Sequence, residues 1–175
     1  SSDHLKNVVT DILDLSRLVS GTENLNLEYV DLCDIIKDAI QEVSSELQGK
    51  DIHINFHFHD IEHKIALDPN KIKIVIKNLL SNAIKFNSKE VNINISLIDT
   101  PHFIQVNVKD NGVGIEPEKV ERIFEQFYQS EEYMTREGQG AGIGLSIVKS
   151  IVDLHKGDVW VSSKQNELTT FSFSL

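Results

Sequence analysis

Two glycine-bearing segments about thirty residues apart constrain this chain more than any other feature: DNGVG at 110–114 and GAGIGL at 140–145. Each is weak alone. DNGVG in isolation reads as a turn, and the residues after it lack the ligand series of an EF-hand loop. The second segment, GQGAGIGLSIVKSIV, passes from a glycine series into a run with Leu145, Val148, Ile151 and Val152 at helical spacing. Glycines entering a helix expose backbone N–H groups and the positive end of its dipole, which suits a phosphate. No strand leads into the segment, as a Rossmann turn requires, and the closing Lys-Ser/Thr pair of a Walker loop is absent.

A third segment lies upstream. Asp68 followed by Pro69 signals a helix start, and the helix is expected to reach Phe86 through KNLLSNAIKF at 77–86. Ile72, Val75, Ile76, Leu79, Leu80 and Ile84 would supply its buried face. Asn78, Asn82 and Lys85, spaced by four and three, fall on one side. Such a stripe reads as a solvated face when taken alone. Beside the glycine segments it fits a magnesium-bound triphosphate, since an amide oxygen ligates a hard cation and a lysine meets phosphate charge. Asp110 ends an expected strand, where its carboxylate can accept a hydrogen bond from the exocyclic amine that distinguishes adenine from guanine. The ordered trio describes a nucleotide-phosphate site built without a P-loop.

Charge supports a local site over a general one. With 17 basic against 27 acidic residues, the net charge of −10 opposes attraction to nucleic acid or anionic membranes, so any phosphate must be held by specific groups. Cys33 is the single cysteine, which excludes an internal disulfide and fits a cytoplasmic setting. No apolar run is long enough to span a bilayer, so membrane contact by this stretch is not expected, although a full-length parent can be anchored upstream.

The rest of the chain reads as an α+β domain with an arm. Leu5, Val8, Ile12, Leu15 and Val19 form a heptad seam that packs either on its own domain or on a partner helix, with Gly21 as C-cap. An extended stretch at 25–29 precedes a helix at 32–47 capped by Asp31 and ended by Gly49. Residues 52–59 alternate, with Ile52, Ile54, Phe56 and Phe58 on one face and His53, Asn55, His57 and His59 on the other. Antiparallel neighbours are expected at 91–98 and 103–109, a short helix from Pro117 to about Phe124, a last helix at 142–155, and closing strands at 158–163 and 168–175. This order predicts a two-layer sandwich, a mixed and mostly antiparallel sheet backed by helices. The expected boundaries are an arm at 1–21, a linker at 22–30 and a domain at 31–175.

The trio in this order resembles the catalytic and ATP-binding domain of sensor histidine kinases. KNLLSNAIKF is similar to the asparagine box, DNGVG to the first glycine box, RIFEQFYQ to the phenylalanine box and GQGAGIGL to the second glycine box, while ILDLSRLVSG resembles the second helix of the dimerisation and phosphoacceptor domain. The resemblance spans essentially the whole chain. It implies a Bergerat-type fold holding ATP and Mg2+ under a lid at 128–139, with Phe124 and Phe127 at the lid's base. It also implies that Asp110 takes the adenine amine, Asn82 ligates magnesium, Lys85 approaches the phosphates, Asn78 supports that network and Phe86 packs near the base. Gly112, Gly114 and Ile115 would line the base end, and Gly140, Ala141, Gly142, Ile143, Gly144 and Leu145 the phosphate end.

The implied reaction moves the γ-phosphoryl of ATP to a histidine and on to an aspartate of a response regulator receiver domain. Hydrolysing relatives carry glutamate where this chain has Asn78, and a neutral amide cannot activate water, so transfer is favoured. Implied partners are ATP and ADP, a histidine-bearing dimerisation domain, a receiver domain, and a second copy in the full-length homodimer. The rivals are a serine kinase or ATPase on the same fold, and a degenerate nucleotide-binding scaffold. His4 lacks the flanking pattern of the family's acceptor, so this stretch is not expected to phosphorylate itself. Gln129 stands where some relatives carry a phosphate-binding arginine, with Arg136 as a candidate substitute or a solvated loop residue, and Ala141 where many have threonine. His53, His57 and His59 read as exposed strand histidines, His63 as a loop residue and His155 as part of a turn.

Overall fold

The computed structural model describes residues 9–10, 12–13, 16–18, 20–21, 23–46, 51–57, 63–87, 90–126, 128, 142–163 and 168–175. Among the described residues these elements follow in order: β1 (Glu28–Asp31), α1 (Leu32–Glu46), β2 (Asp51–His57), β3 (Lys64–Leu67), α2 (Pro69–Lys85), β4 (Glu90–Asp99), β5 (Ile104–Asp110), α3 (Pro117–Val120), α4 (Gly144–Leu154), β6 (Asp158–Ser162) and β7 (Thr169–Ser174). The main sheet runs β2-β4-β5-β7-β6, and β1 pairs with β3 in a separate two-stranded sheet. Among the described residues β2 and β4 pair in parallel, and the other pairs are antiparallel. The expected two-layer sandwich with a mixed sheet is therefore observed.

Helical periodicity explains the covering layer. In α1, Leu32, Ile35, Ile36, Ala39 and Val43 recur at steps of three and four and are buried. α2 buries Ile72, Val75, Ile76, Leu79, Leu80, Ala83 and Ile84, and α4 buries Ile147, Val148, Ile151 and Val152. They meet Val91, Ile93, Ile95, Val106, Val108, Phe171 and Phe173 from the sheet in one core. Removing most of such a side chain, as in Ile76→Ala, costs about 2–5 kcal/mol. The opposite sheet face is polar, with Asn107 hydrogen-bonded to Ser96 and Ser172 across three strands. That alternation is what a half-covered antiparallel sheet demands.

Several boundaries differ from expectation. Strand pairing begins at Glu28, because residues 23–27 are held by side chains instead of a ladder: Glu23 pairs with Lys71, and the Asn26 N–H donates to Asp68. β3 went unpredicted, since four residues are too few to show a period. The helix at Pro117 ends at Val120 and continues as turns, with Arg122 N–H bonded to Lys119 O and Glu125 N–H to Arg122 O. α4 starts two residues later than expected, after Gly142 at φ +71°.

Residues 9–10, 12–13 and 16–18, in the stretch expected as an arm, are helical, and Gly21 follows them at φ +66°. Ile12 is exposed, whereas Leu18, which lies off the expected seam, is buried in the core. Leu5, Val8, Leu15, Val19, His4, Leu47, Gly49, Phe58 and His59 lie outside the described residues. His63 sits in a loop as expected, and it is buried there, its Nδ1 2.9 Å from the Asp99 carboxylate. Among the described residues no cluster of three or more His, Cys, Asp or Glu could hold a metal, and no helix is long and apolar enough to cross a membrane.

Candidate functional site

α2 is the spine of the site. Asp68 caps it, Oδ1 accepting from the N–H groups of Asn70 and Lys71 at 3.1 Å each, and Pro69 occupies the first turn, where its missing N–H costs nothing. With the cap fixing phase, the apolar face turns inward and Asn78, Asn82 and Lys85 remain on a partly accessible side, Asn78 and Asn82 half-buried and Lys85 exposed. The Asn78 amide is oriented by donating to Ile74 O at 3.0 Å, and its Oδ1 faces Gly144 at the start of α4. Lys71 pairs with Glu23, and Lys73 and Lys77 both pair with Glu42. Lys85 alone among the helix's four lysines has no ionic partner among the described residues, and the Asn82 amide likewise makes no hydrogen bond there.

Both glycine segments touch this helix. Asp110, the last residue of β5, is buried and accepts the Gly112 N–H at 2.7 Å. A Cβ on Gly112 would lie 2.7 Å from Asp110 Oδ1, 3.3 Å from Asn87 Nδ2 and 3.4 Å from Phe86 O, so only glycine lets the loop close on the end of α2. A Cβ on Gly144, the first residue of α4, would lie 2.6 Å from Asn78 Oδ1. Gly112 and Gly144 thus carry the same constraint at two places: backbone pressed against α2. Gly114 and Gly142 adopt positive φ, +77° and +71°.

Burial dominates the electrostatics at Asp110, pushing its carboxyl above the ordinary value, while hydrogen bonds from Gly112 and Asn87 partly offset this. A second polar chain flanks it. Thr169 on β7 is the register partner of Asp110, its hydroxyl lies 2.7 Å from that of Ser163, and the Ser163 hydroxyl accepts the Ile115 N–H at 2.9 Å.

Of the expected site residues, Asn78, Asn82, Lys85 and Phe86 lie on or at the end of α2, Asp110 and Gly112 meet that end, and Gly144 meets Asn78, while Gly114 and Ile115 follow the first contact in sequence and Gly142, Ile143 and Leu145 flank the second. Phe86 is partly exposed, as a base-packing ring needs, whereas Ile143 is buried and serves the core. Phe127, Gly140, Ala141, Gln129, Arg136 and the expected lid at 128–139, apart from Tyr128, lie outside the described residues. Sequence reasoning missed Asn87, Ser163 and Thr169. Asn87 stands one residue beyond the helical motif, which was the available signal; the other two are placed only by strand register.

The comparisons agree with this geometry. Residues 67–175 match the family described as histidine kinase-, DNA gyrase B-, and HSP90-like ATPase. The non-motile and phage-resistance protein of Caulobacter vibrioides is 34% identical across all of this chain and 21% of its own length. The sensor histidine kinase WalK of Bacillus subtilis is 30% identical over 99% of the chain and 29% of its own length. The chain thus spans less than a third of either relative. Full-length ShkA, solved in complex with AMPPNP, superposes with a TM-score of 0.86 at 26% identity over 98% of this chain and 35% of that one. The nucleotide-free catalytic domain of histidine kinase ThkA gives 0.75 at 26% identity over 86% of this chain and 95% of that one. The fold is shared with these kinase structures, and the chain belongs to the histidine kinase-, DNA gyrase B- and HSP90-like ATPases.

Proposed function

We propose that this chain is the catalytic domain of a sensor histidine kinase, binding Mg-ATP and passing its γ-phosphoryl to a histidine on a dimerisation domain, for relay to a receiver-domain aspartate. The observation that carries it is the double contact of α2: Asp110 and Gly112 close on its C-terminal end, and Gly144 on Asn78. One helix joins a buried carboxylate suited to an adenine amine with a helix N-terminus suited to phosphate. AMPPNP in the ShkA complex supports the ligand class.

The donor set fits magnesium. Asn82 offers one carboxamide oxygen with no partner among the described residues, and no acidic cluster is present there. A cation held by one protein oxygen, substrate phosphates and water is the usual magnesium arrangement. When bound, the ion would neutralise charge on the phosphates. Lys85, free of ionic partners among the described residues, would meet the same charge, and Asn78 would orient the group without deprotonating water. The new P–N bond forms as the bond between γ-phosphorus and the bridging oxygen breaks. ADP leaves, and catalysis rests on positioning.

The test is to mix the chain with a separate fragment carrying a candidate acceptor histidine and follow labelled phosphate. Transfer by wild type and its loss in Asn82→Ala supports the reading. Equal transfer by both refutes the assigned magnesium role, and acid-labile label on the isolated chain refutes the separation of catalysis from acceptor.

A further inference from the structure

We infer that His155 is a positioning residue for the nucleotide site: it fastens the far end of α4 to the first turn of α2 and, through Asp68, to the linker segment at 23–27. The inference rests on the nucleotide-site reading and goes beyond it, since the ring's partners, Ile151 and Asp68, lie outside both glycine segments.

His155 follows the last residue of α4 and makes two hydrogen bonds. Its Nδ1 lies 2.8 Å from Ile151 O, and its Nε2 lies 3.0 Å from the Asp68 N–H. A carbonyl can only accept and an amide N–H only donate, so both bonds form only with the proton on Nδ1. The imidazole thus serves as an adaptor between a C-terminal carbonyl of one helix and an N-terminal amide of the other. Beyond it, the chain turns through Lys156 at φ +59° to Gly157, where a Cβ would lie 1.9 Å from Ser174 O. That approach leaves α4 no room to slide toward β7.

The two helices consequently meet at both ends. Gly144 abuts Asn78, while His155 holds Asp68; the eleven steps along α4 and ten along α2 span roughly 16 and 15 Å, so the contacts are matched rungs of an antiparallel pair. A shift at the His155 rung cannot be absorbed at the Gly144 rung without moving the Asn78 amide. Asp68 also holds the linker. Its Oδ2 accepts the Asn26 N–H at 2.9 Å, and one turn away Lys71 pairs with Glu23. Linker, α2 cap and α4 terminus share one buried residue, so displacement of the linker acts on the alignment of the two helices that frame the nucleotide site.

The experiment is calorimetry with AMPPNP on the full 175-residue chain, with thermal melts to confirm folding. His155→Phe keeps a ring and loses both bonds; AMPPNP is expected to bind about five-fold more weakly, roughly what one net hydrogen bond is worth. His155→Gln keeps an acceptor for the Asp68 N–H and should stay within about two-fold of wild type. His155→Asn is too short to reach that N–H and provides a second loss variant if the phenylalanine disturbs folding. Asn26→Pro, which removes the linker's donor, should also weaken binding, and the double variant Asn26→Pro/His155→Phe should lose less than the product of the two single effects. Folded loss variants that bind AMPPNP as wild type does, a glutamine variant no better than phenylalanine, or strictly multiplicative losses would each overturn the inference while leaving the nucleotide site standing. A wild-type chain that binds no AMPPNP overturns both.

Discussion

At the Asp110 corner of α2, the polar groups already have partners. The carboxylate accepts from Gly112, hydrogen-bonds Asn87 and lies beside the Thr169–Ser163–Ile115 chain. From the Asn78–Gly144 corner along the polar face of α2, the Asn78 amide is oriented by Ile74 O, but the Asn82 and Lys85 side chains have no partners among the described residues. The first corner is preorganised and buried, suited to reading the shape and donors of a base at little reorganisation cost. The second presents unpaired donors and acceptors awaiting charge. On the proposed reading, the difference would give selectivity to one corner and magnesium-dependent phosphate binding to the other.

That division is open to attack one corner at a time. Asp110→Ala removes the buried acceptor, and loss of a hydrogen bond to a charged group predicts about a hundred-fold weaker AMPPNP binding by calorimetry. Gly144→Ala places a methyl against the Asn78 amide at 2.6 Å. Its overpacking strain is expected to cost about ten-fold in affinity for the triphosphate analogue and little for adenosine. Lys85→Ala should weaken AMPPNP about five-fold at low salt and less at high salt, because an exposed charge is screened. A loss for adenosine equal to that for AMPPNP in either Gly144→Ala or Lys85→Ala would break the division.

The smallest effect concerns stability. Burial raises the Asp110 pKa, so the unfolded chain ionises more readily and the folded state is penalised once the unfolded group loses its proton. The penalty is absent below the unfolded pKa of about 3.9 and is fully developed once pH has risen through the folded pKa. Asp110→Asn should therefore raise stability at neutral pH while weakening nucleotide binding, and this gain should vanish in acid. Denaturant melts at neutral and acidic pH check it; a gain that does not depend on pH would remove the electrostatic cause.

Legibility in the sequence depends on the range of the determining interaction. Local signals placed α2 well: an Asp–Pro start, a strict apolar period and three polar residues at one face are all decided within the helix. The glycine segments were readable for the same reason, since DNGVG and GAGIGL report local backbone demands. Asn87 was missed because its partner Asp110 lies across the fold, and Thr169 because register alone sets it beside that aspartate. His63 was read as an ordinary loop residue, since nothing near it announces Asp99 or the burial of its ring. The contacts of Glu23 and Asn26 are likewise long-range, which is why an extended stretch could be read at 25–29 but not the side chains that hold it.

The central claim, that both glycine segments serve one nucleotide along α2, is tested most directly by amide NMR of the chain titrated separately with adenosine, tripolyphosphate plus Mg2+, and AMPPNP plus Mg2+. Adenosine should shift Asp110, Gly112 and Ile115; tripolyphosphate should shift Gly142, Gly144 and Leu145; AMPPNP should shift both sets together with Asn78 and Asn82. Perturbation by AMPPNP at one set alone, or at neither, would contradict the account.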